Sequence, residues 1–197
     1  MPRKQPYRDR LKARLIQVAE ATIAAHGLAA VQARAIAETA GCSVGTLYNI
    51  FGDIDGLILE VSHRTLVDIG EVLTAAARRS AGLLLEARLM ALAGAYLDFA
   101  TVNRRRWRAI FDHQLPDEHP RPEGFNEDRG RLLALLDAQL MESLPEPEAR
   151  SDAAHALFAA THGIVLLALD AKLTPFDPAR CERQIRFVVG HVVRGIS

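Results

Sequence analysis

The chain has 197 residues, 49% of them hydrophobic, and its 24 basic and 24 acidic side chains cancel to zero formal charge. Thirteen glycines and nine prolines are too few for a disordered, collagen-like or low-complexity chain, so this is a globular protein of one or two domains. Two cysteines, Cys42 and Cys181, lie far apart without metal-ligand spacing, which excludes a disulfide framework or zinc knuckle and marks both as packing residues.

The first thirty residues are charged throughout and contain no central apolar stretch, so no signal peptide is expected. No apolar run is expected to reach membrane-spanning length, and the chain is expected to be cytoplasmic. Zero net charge conceals an uneven distribution. Arg3, Lys4, Arg8, Arg10, Lys12 and Arg14 crowd the N-terminus against Asp9 alone, while acids gather later, as at Asp117-Glu118 and from Glu142 to Glu148.

Apolar residues recur at helical spacing along nearly the whole chain, as in Leu11, Leu15, Val18, Ala19 and Ile23, and no alternating strand pattern occurs. A helix is expected over about 8–26, stopped by Gly27. A short one follows over 33–40, stopped by Gly41, and a third over 44–50. A long helix over 54–79 ends before Gly82, and helices near 83–101 and 104–113 come next. The stretch LPDEHPRPEG, residues 115–124, reads as a loop, and further helices are expected near 125–143, 148–173 and 178–195. Roughly nine helices and no strand make an all-α protein.

The third helix carries the most specific chemistry. On a helix over 44–51, Leu47 and Phe51 share one face and pack toward Ile36, Ala37 and Val18 or Ala19, which turns Gly45 and Asn49 outward with Thr46 and Tyr48 on the flanks. Ser43 sits where an N-cap belongs, and Gly41 permits the turn between two short helices. Three packed helices with a capped turn would satisfy this pattern. So would a helix-turn-helix, whose second helix enters the major groove. In that case Gly45 allows close approach, Tyr48 suits a phosphate and Asn49 suits a base edge. The basic N-terminus, with its salt-sensitive attraction to phosphates, favours DNA.

Residues 36–57, IAETAGCSVGTLYNIFGDIDGL, resemble the helix-turn-helix signature of TetR-family transcriptional regulators, and residues 15–31, LIQVAEATIAAHGLAAV, resemble that family's first helix and closing glycine. The resemblance implies an all-α homodimer, with residues 1–53 as the DNA-binding domain and 54–197 as a helical ligand-binding and dimerisation domain. It implies a regulator, most often a repressor, that binds a pseudo-palindromic operator and is released by a small-molecule inducer. Arg34, Ser43, Val44, Gly45, Thr46, Tyr48 and Asn49 are the DNA contacts it implies. Three positions depart from the pattern. Gln32 replaces a capping threonine, Ile50 replaces a His or Tyr, and Ile54, between Asp53 and Asp55, replaces a backbone-binding lysine, so DNA binding should be markedly salt-sensitive.

For a sensor cavity the residues of the right type are Tyr96, Phe99, Trp107, Phe111, His113, Phe158 and His162. Trp107 and Phe111, four apart, also fit plain core, and His162 beside Gly163 also fits a buried, hydrogen-bonded histidine in a thin helix. This half resembles TetR-family sensor domains with a WRAIF-like segment and a later His-Gly pair, although the tryptophan common before that pair is Thr161 here. The run Arg104-Arg105-Arg106 with Arg108 reads as an exposed helix-end cap and not as a second nucleic-acid patch. The last two helices, with broad apolar faces and small residues at Ala153, Ala156, Ala160, Gly163 and Gly190, suit a four-helix dimer interface.

The rival reading is a helical carrier or enzyme without DNA binding, built on Asp112-His113, His155, His162 and Asp170. No nucleophile motif, phosphate loop or metal-ligand spacing supports it, so no enzyme activity and no cofactor are expected.

Overall fold

The structure, a computed structural model, describes residues 4–115, 119–171 and 175–196. Arg3, Asp117, Glu118 and the expected end of the eighth helix at 172–173 lie outside the described residues. All regular structure among the described residues is helical, as the periodicity requires.

Helix α1 runs Lys4–His26, starting earlier than the apolar spacing suggests, so the basic N-terminal stretch is itself helical from Lys4. Leu15, Ala19 and Ile23, each four apart, are fully buried along one stripe. Gly27, at φ 85°, ends the helix, and a 3-10 turn over Leu28–Ala30 leads to α2, Ala33–Ala40. Gly41 adopts the left-handed conformation at φ 79°, and the Cys42 N–H closes back onto the Ala37 carbonyl at 2.9 Å. Helix α3 follows at Val44–Phe51 and α4 at Ile54–Arg79.

The described helices divide into two compact units. The first comprises Met1–Val67 together with Asn103–Phe125, so α6, Arg104–Asp112, returns to it. Its core joins Leu15, Ala19 and Ile23 of α1 with Ile36 and Ala37 of α2, Leu47 of α3, Leu57 and Val61 of α4 and Ala109 of α6. Cys42 packs half-buried at the edge of this cluster.

The second unit holds Asp68–Val102 and Asn126–Ser197, and in it α5, Leu85–Val102, packs on α8, Pro147–Asp170, and α9, Pro178–Gly195, which also pack on each other. Helix α7, Phe125–Leu140, supplies Leu132, Leu135 and Leu136 to the same unit. Glu146 caps α8 by accepting from the Ala149 N–H at 2.8 Å, and Asp177 caps α9 through the N–H groups of Ala179 and Arg180 at 3.0 and 3.2 Å. Pro147 and Pro178 each occupy a first helical turn, where a missing N–H is harmless. Cys181 is buried, and burial, then the charge of Asp177, pushes its thiol pKa up.

One expectation needs correction here. Helix α8 is long and apolar enough, by length and composition, to cross a membrane, with a mean hydropathy of 1.5 over an 18-residue window. Its many alanines, which look small and neutral in the sequence, raise the average. Only 28% of that window is buried within this chain, so α8 carries substantial uncovered apolar surface.

Candidate nucleic-acid interface and ligand cavity

Helix α3 is held from below and open above. Leu47 is completely buried, and Ile50 and Phe51 are half-buried against the same core, which fixes the helix rotation. Ser43, Gly45, Tyr48 and Asn49 are exposed, Val44 and Thr46 half-buried, and Arg34 projects from the exposed side of α2. The Ser43 hydroxyl accepts from the Thr46 N–H at 3.1 Å and lies 2.9 Å from the Thr46 hydroxyl, so the first turn of α3 is capped as its sequence predicts. A Cβ on Gly45 would meet only the Ser43 Oγ, at 3.8 Å. Nothing among the described residues therefore requires glycine there.

Basic residues of α1 frame this surface. Arg8 donates to the Asn49 carbonyl at 3.2 Å and Arg14 to the Thr39 carbonyl at 3.4 Å, which places both guanidinium groups at the C-terminal ends of α3 and α2, where carbonyls point outward. Lys12 pairs with Glu60 of α4 at 2.5 Å.

Just after α3 the chain carries Asp53 and Asp55, and both have partners. Asp53 caps α4, accepting from the Gly56 N–H at 2.8 Å. His119 Nε2 lies 3.1 Å from Asp53 Oδ2, and His113 Nε2 donates to Asp55 Oδ1 at 2.9 Å. The Gly56 N–H, with help from His119 and against partial burial, lowers the Asp53 pKa; the Pro120 carbonyl and Asp53 raise that of His119. His113 is among the ligand candidates that the sequence suggests, whereas His119 is not, because a single histidine in a proline-rich loop carries no local signal.

The arginine run is only in part the exposed cap expected of it: Arg104 and Arg105 are exposed, and Arg106 is not. Arg105 donates to the Ala24 and Ala25 carbonyls, so the helix end it caps is that of α1, some eighty residues earlier. Arg106 is largely buried, at 14% side-chain exposure, and pairs with Glu20 of α1 at 3.1 Å, which Arg64 of α4 also approaches at 3.4 Å. Arg108 closes locally on Asp112 at 2.8 Å.

Of the seven residues suited by type to a ligand cavity, three belong to the first unit: Trp107, fully buried; Phe111, half-exposed and edge-on to the Trp107 ring at 5.4 Å; and His113. Tyr96, Phe99, Phe158 and His162 lie in the second unit. That unit holds a partly open apolar cavity of about 40 Å³, walled by leucines of α4, α5, α7 and α8 together with Tyr96, Phe158, Thr161 and Val189. The Tyr96 hydroxyl shares a 2.9 Å hydrogen bond with His162 Nδ1, and the His162 ring stacks on Phe158 at 5.7 Å. Phe99 is buried in the core but does not line the cavity.

A family model described as the C-terminal domain of tetracyclin-repressor-like proteins matches residues 89–190, just over half of the chain. The chain belongs to the TetR family. A second TetR-family model, described as bacterial regulatory proteins, matches residues 15–61, which span α1 to the start of α4. This TetR-family protein is therefore an all-α, DNA-binding transcriptional regulator with α2 and α3 as its helix-turn-helix. No curated protein matches it significantly.

Solved structures agree on the fold. A protein of unknown function from Rhodococcus sp. RHA1 is 25% identical, with a TM-score of 0.75 over 94% of this chain and 95% of that one. The TetR-family transcriptional regulator PfmR from Thermus thermophilus is 18% identical, with a TM-score of 0.63 over 93% and 99%. The fatty acid degradation regulator FadR from Bacillus halodurans is 18% identical, with a TM-score of 0.64 over 90% and 97%.

The three departures from the TetR pattern have local structural outcomes. Gln32 stands at the N-cap of α2 without making a side-chain cap. Ile50 and Ile54 both pack against the first-unit core, which neither a charged nor a strongly polar side chain could do without desolvation.

Proposed function

We propose that this TetR-family regulator is a ligand-responsive repressor that binds a pseudo-palindromic operator as a homodimer and leaves it when a small molecule enters the second unit. Residues 1–53 supply the DNA-binding domain, and ligand and dimer contacts fall within 54–197. Arg34, Ser43, Val44, Gly45, Thr46, Tyr48 and Asn49 meet the DNA. The observation carrying this reading is the split of α3 into a buried Leu47 anchor and an exposed face of Gly45, Tyr48 and Asn49. A glycine that no neighbour among the described residues demands suits close approach of a phosphate backbone.

For the dimer, the support is the uncovered apolar surface of α8 and α9, including Leu167 at 58% and Phe187 at 66% exposure. For the inducer, the support is the apolar cavity with the Tyr96–His162 pair at its edge, which suits a largely apolar molecule bearing one hydrogen-bonding group. Ligand pockets start near about 300 Å³, so a cavity of this size has to open to admit one. That opening, transmitted along α4, would bias the dimer between recognition-helix spacings that do and do not match major grooves about 34 Å apart. Such a protein is a non-enzymatic transcription factor.

The test is selection of genomic DNA fragments by the purified protein, beside a Tyr48→Ala, Asn49→Ala double variant, at two salt concentrations. Enrichment of a short pseudo-palindrome by the wild type alone, weaker at high salt, is the expected result. Equal enrichment by the variant would remove α3 from the interface.

A further inference from the structure

At the first turn of α4, two carboxylates meet two imidazoles that are far away in sequence. Ligand atoms of Asp53, Asp55 and His119 all lie within 4.8 Å of one another, and His113 stands behind Asp55.

The hydrogen bonds fix how these groups face one another. His119 Nδ1 is 3.0 Å from the Pro120 carbonyl, and Nε2 of the same ring faces the two Asp53 oxygens at 3.2 and 3.1 Å. His113 Nε2 lies 2.9 Å from Asp55 Oδ1, and its side chain is 8% exposed. Two carboxylates and one imidazole nitrogen thus face one another, a mixed oxygen and nitrogen donor set of the kind that holds a divalent ion.

Each of the three candidate ligands is also steadied from behind, as metal ligands are. The Gly56 N–H holds Asp53 Oδ1, His113 holds Asp55 Oδ1, and the Pro120 carbonyl orients the His119 ring. Oδ2 of each aspartate and Nε2 of His119 remain to converge. Ligand atoms around a tetrahedral zinc ion lie about 3.4 Å apart, a spacing these groups reach with small rotations.

We propose that Asp53, Asp55 and His119 bind a divalent transition-metal ion, with His113 as the outer partner of Asp55. The two-oxygen, one-nitrogen donor set suits zinc, cobalt, nickel or manganese and not the all-oxygen preference of calcium. The aspartate side chains are 51% and 40% exposed, so the remaining coordination positions open to water. The ion would fasten the segment after α6 to the turn between α3 and α4. The site stands whether or not α3 reads DNA.

The experiment is titration of cobalt(II) and zinc(II) into the chelator-stripped full chain, read by calorimetry and by the cobalt absorption spectrum. One ion per chain with a nitrogen–oxygen spectrum is expected. Asp53→Asn, which retains the α4 cap, and His119→Gln should each weaken binding at least about tenfold, and His113→Gln about 10–100-fold, as lost outer partners do. His155→Ala, an exposed histidine on α8, should bind like the wild type. No saturable binding, or an affinity in Asp53→Asn and His119→Gln equal to that of the wild type, would overturn the proposal and leave Asp53 and His119 as a hydrogen-bonded pair only.

Discussion

Replacing Gly56 with alanine should destabilise this protein even though the residue is helical. An ideal Cβ at position 56 falls 2.2 Å from the Phe51 carbonyl oxygen and 3.2 Å from its carbon. That is more than about 1 Å inside van der Waals contact, and the obstacle is the backbone that terminates α3, which cannot rotate aside. Overpacking costs about 1–3 kcal/mol, and a clash this close with backbone stands at the upper end, about 2–3 kcal/mol, offset by the roughly 1 kcal/mol that alanine gains over glycine inside a helix. A net loss of about 1–2 kcal/mol lowers the melting midpoint by about 2–8 °C for a chain of this length. Gly130, in α7 with no atom of the described residues within 4 Å of its would-be Cβ, is the control, and alanine there should raise the midpoint. Thermal unfolding followed by circular dichroism at matched concentrations distinguishes the two. A Gly56→Ala midpoint at or above wild type would refute the close α3–α4 junction from which the argument starts.

Leu47→Ala, which empties the fully buried anchor of α3, should cost about 2–5 kcal/mol and appear as a lower urea midpoint. Ser43→Ala removes the α3 cap and should cost about 0.5–2 kcal/mol in the same assay, with a value near zero meaning that the Thr46 N–H finds water instead. A Leu167→Arg, Phe187→Arg double variant should sediment as a monomer while keeping its helical spectrum. An unchanged sedimentation coefficient would place the dimer interface elsewhere.

Much of the chain's organisation was legible from local rules. Helices α2 and α4 begin and end where the apolar spacing and the glycines put them, and Ser43 caps α3 as read. Ends marked by weaker signals moved. Leu83 and Leu84 look like the start of α5, yet they lie exposed in the turn beyond Gly82, because periodicity cannot tell a helical leucine from a stranded one. Among cavity candidates, residue type alone put Trp107 beside Tyr96, but they belong to different compact units.

What the sequence by itself determined are features decided within a turn or two of the chain: helical class, the exposed face of α3, its cap, and the family signature that spans them. These depend on spacings of three or four residues, which a linear reading contains. Tertiary structure alone decided the pairings across long intervals. Arg105 serves the end of α1, Arg106 meets Glu20, and His119 and His113 find Asp53 and Asp55 across 66 and 58 residues. A charged or imidazole side chain has no preferred partner until the fold removes water from around it and leaves one group within reach. Which group that is depends on how the chain returns to its own first helices.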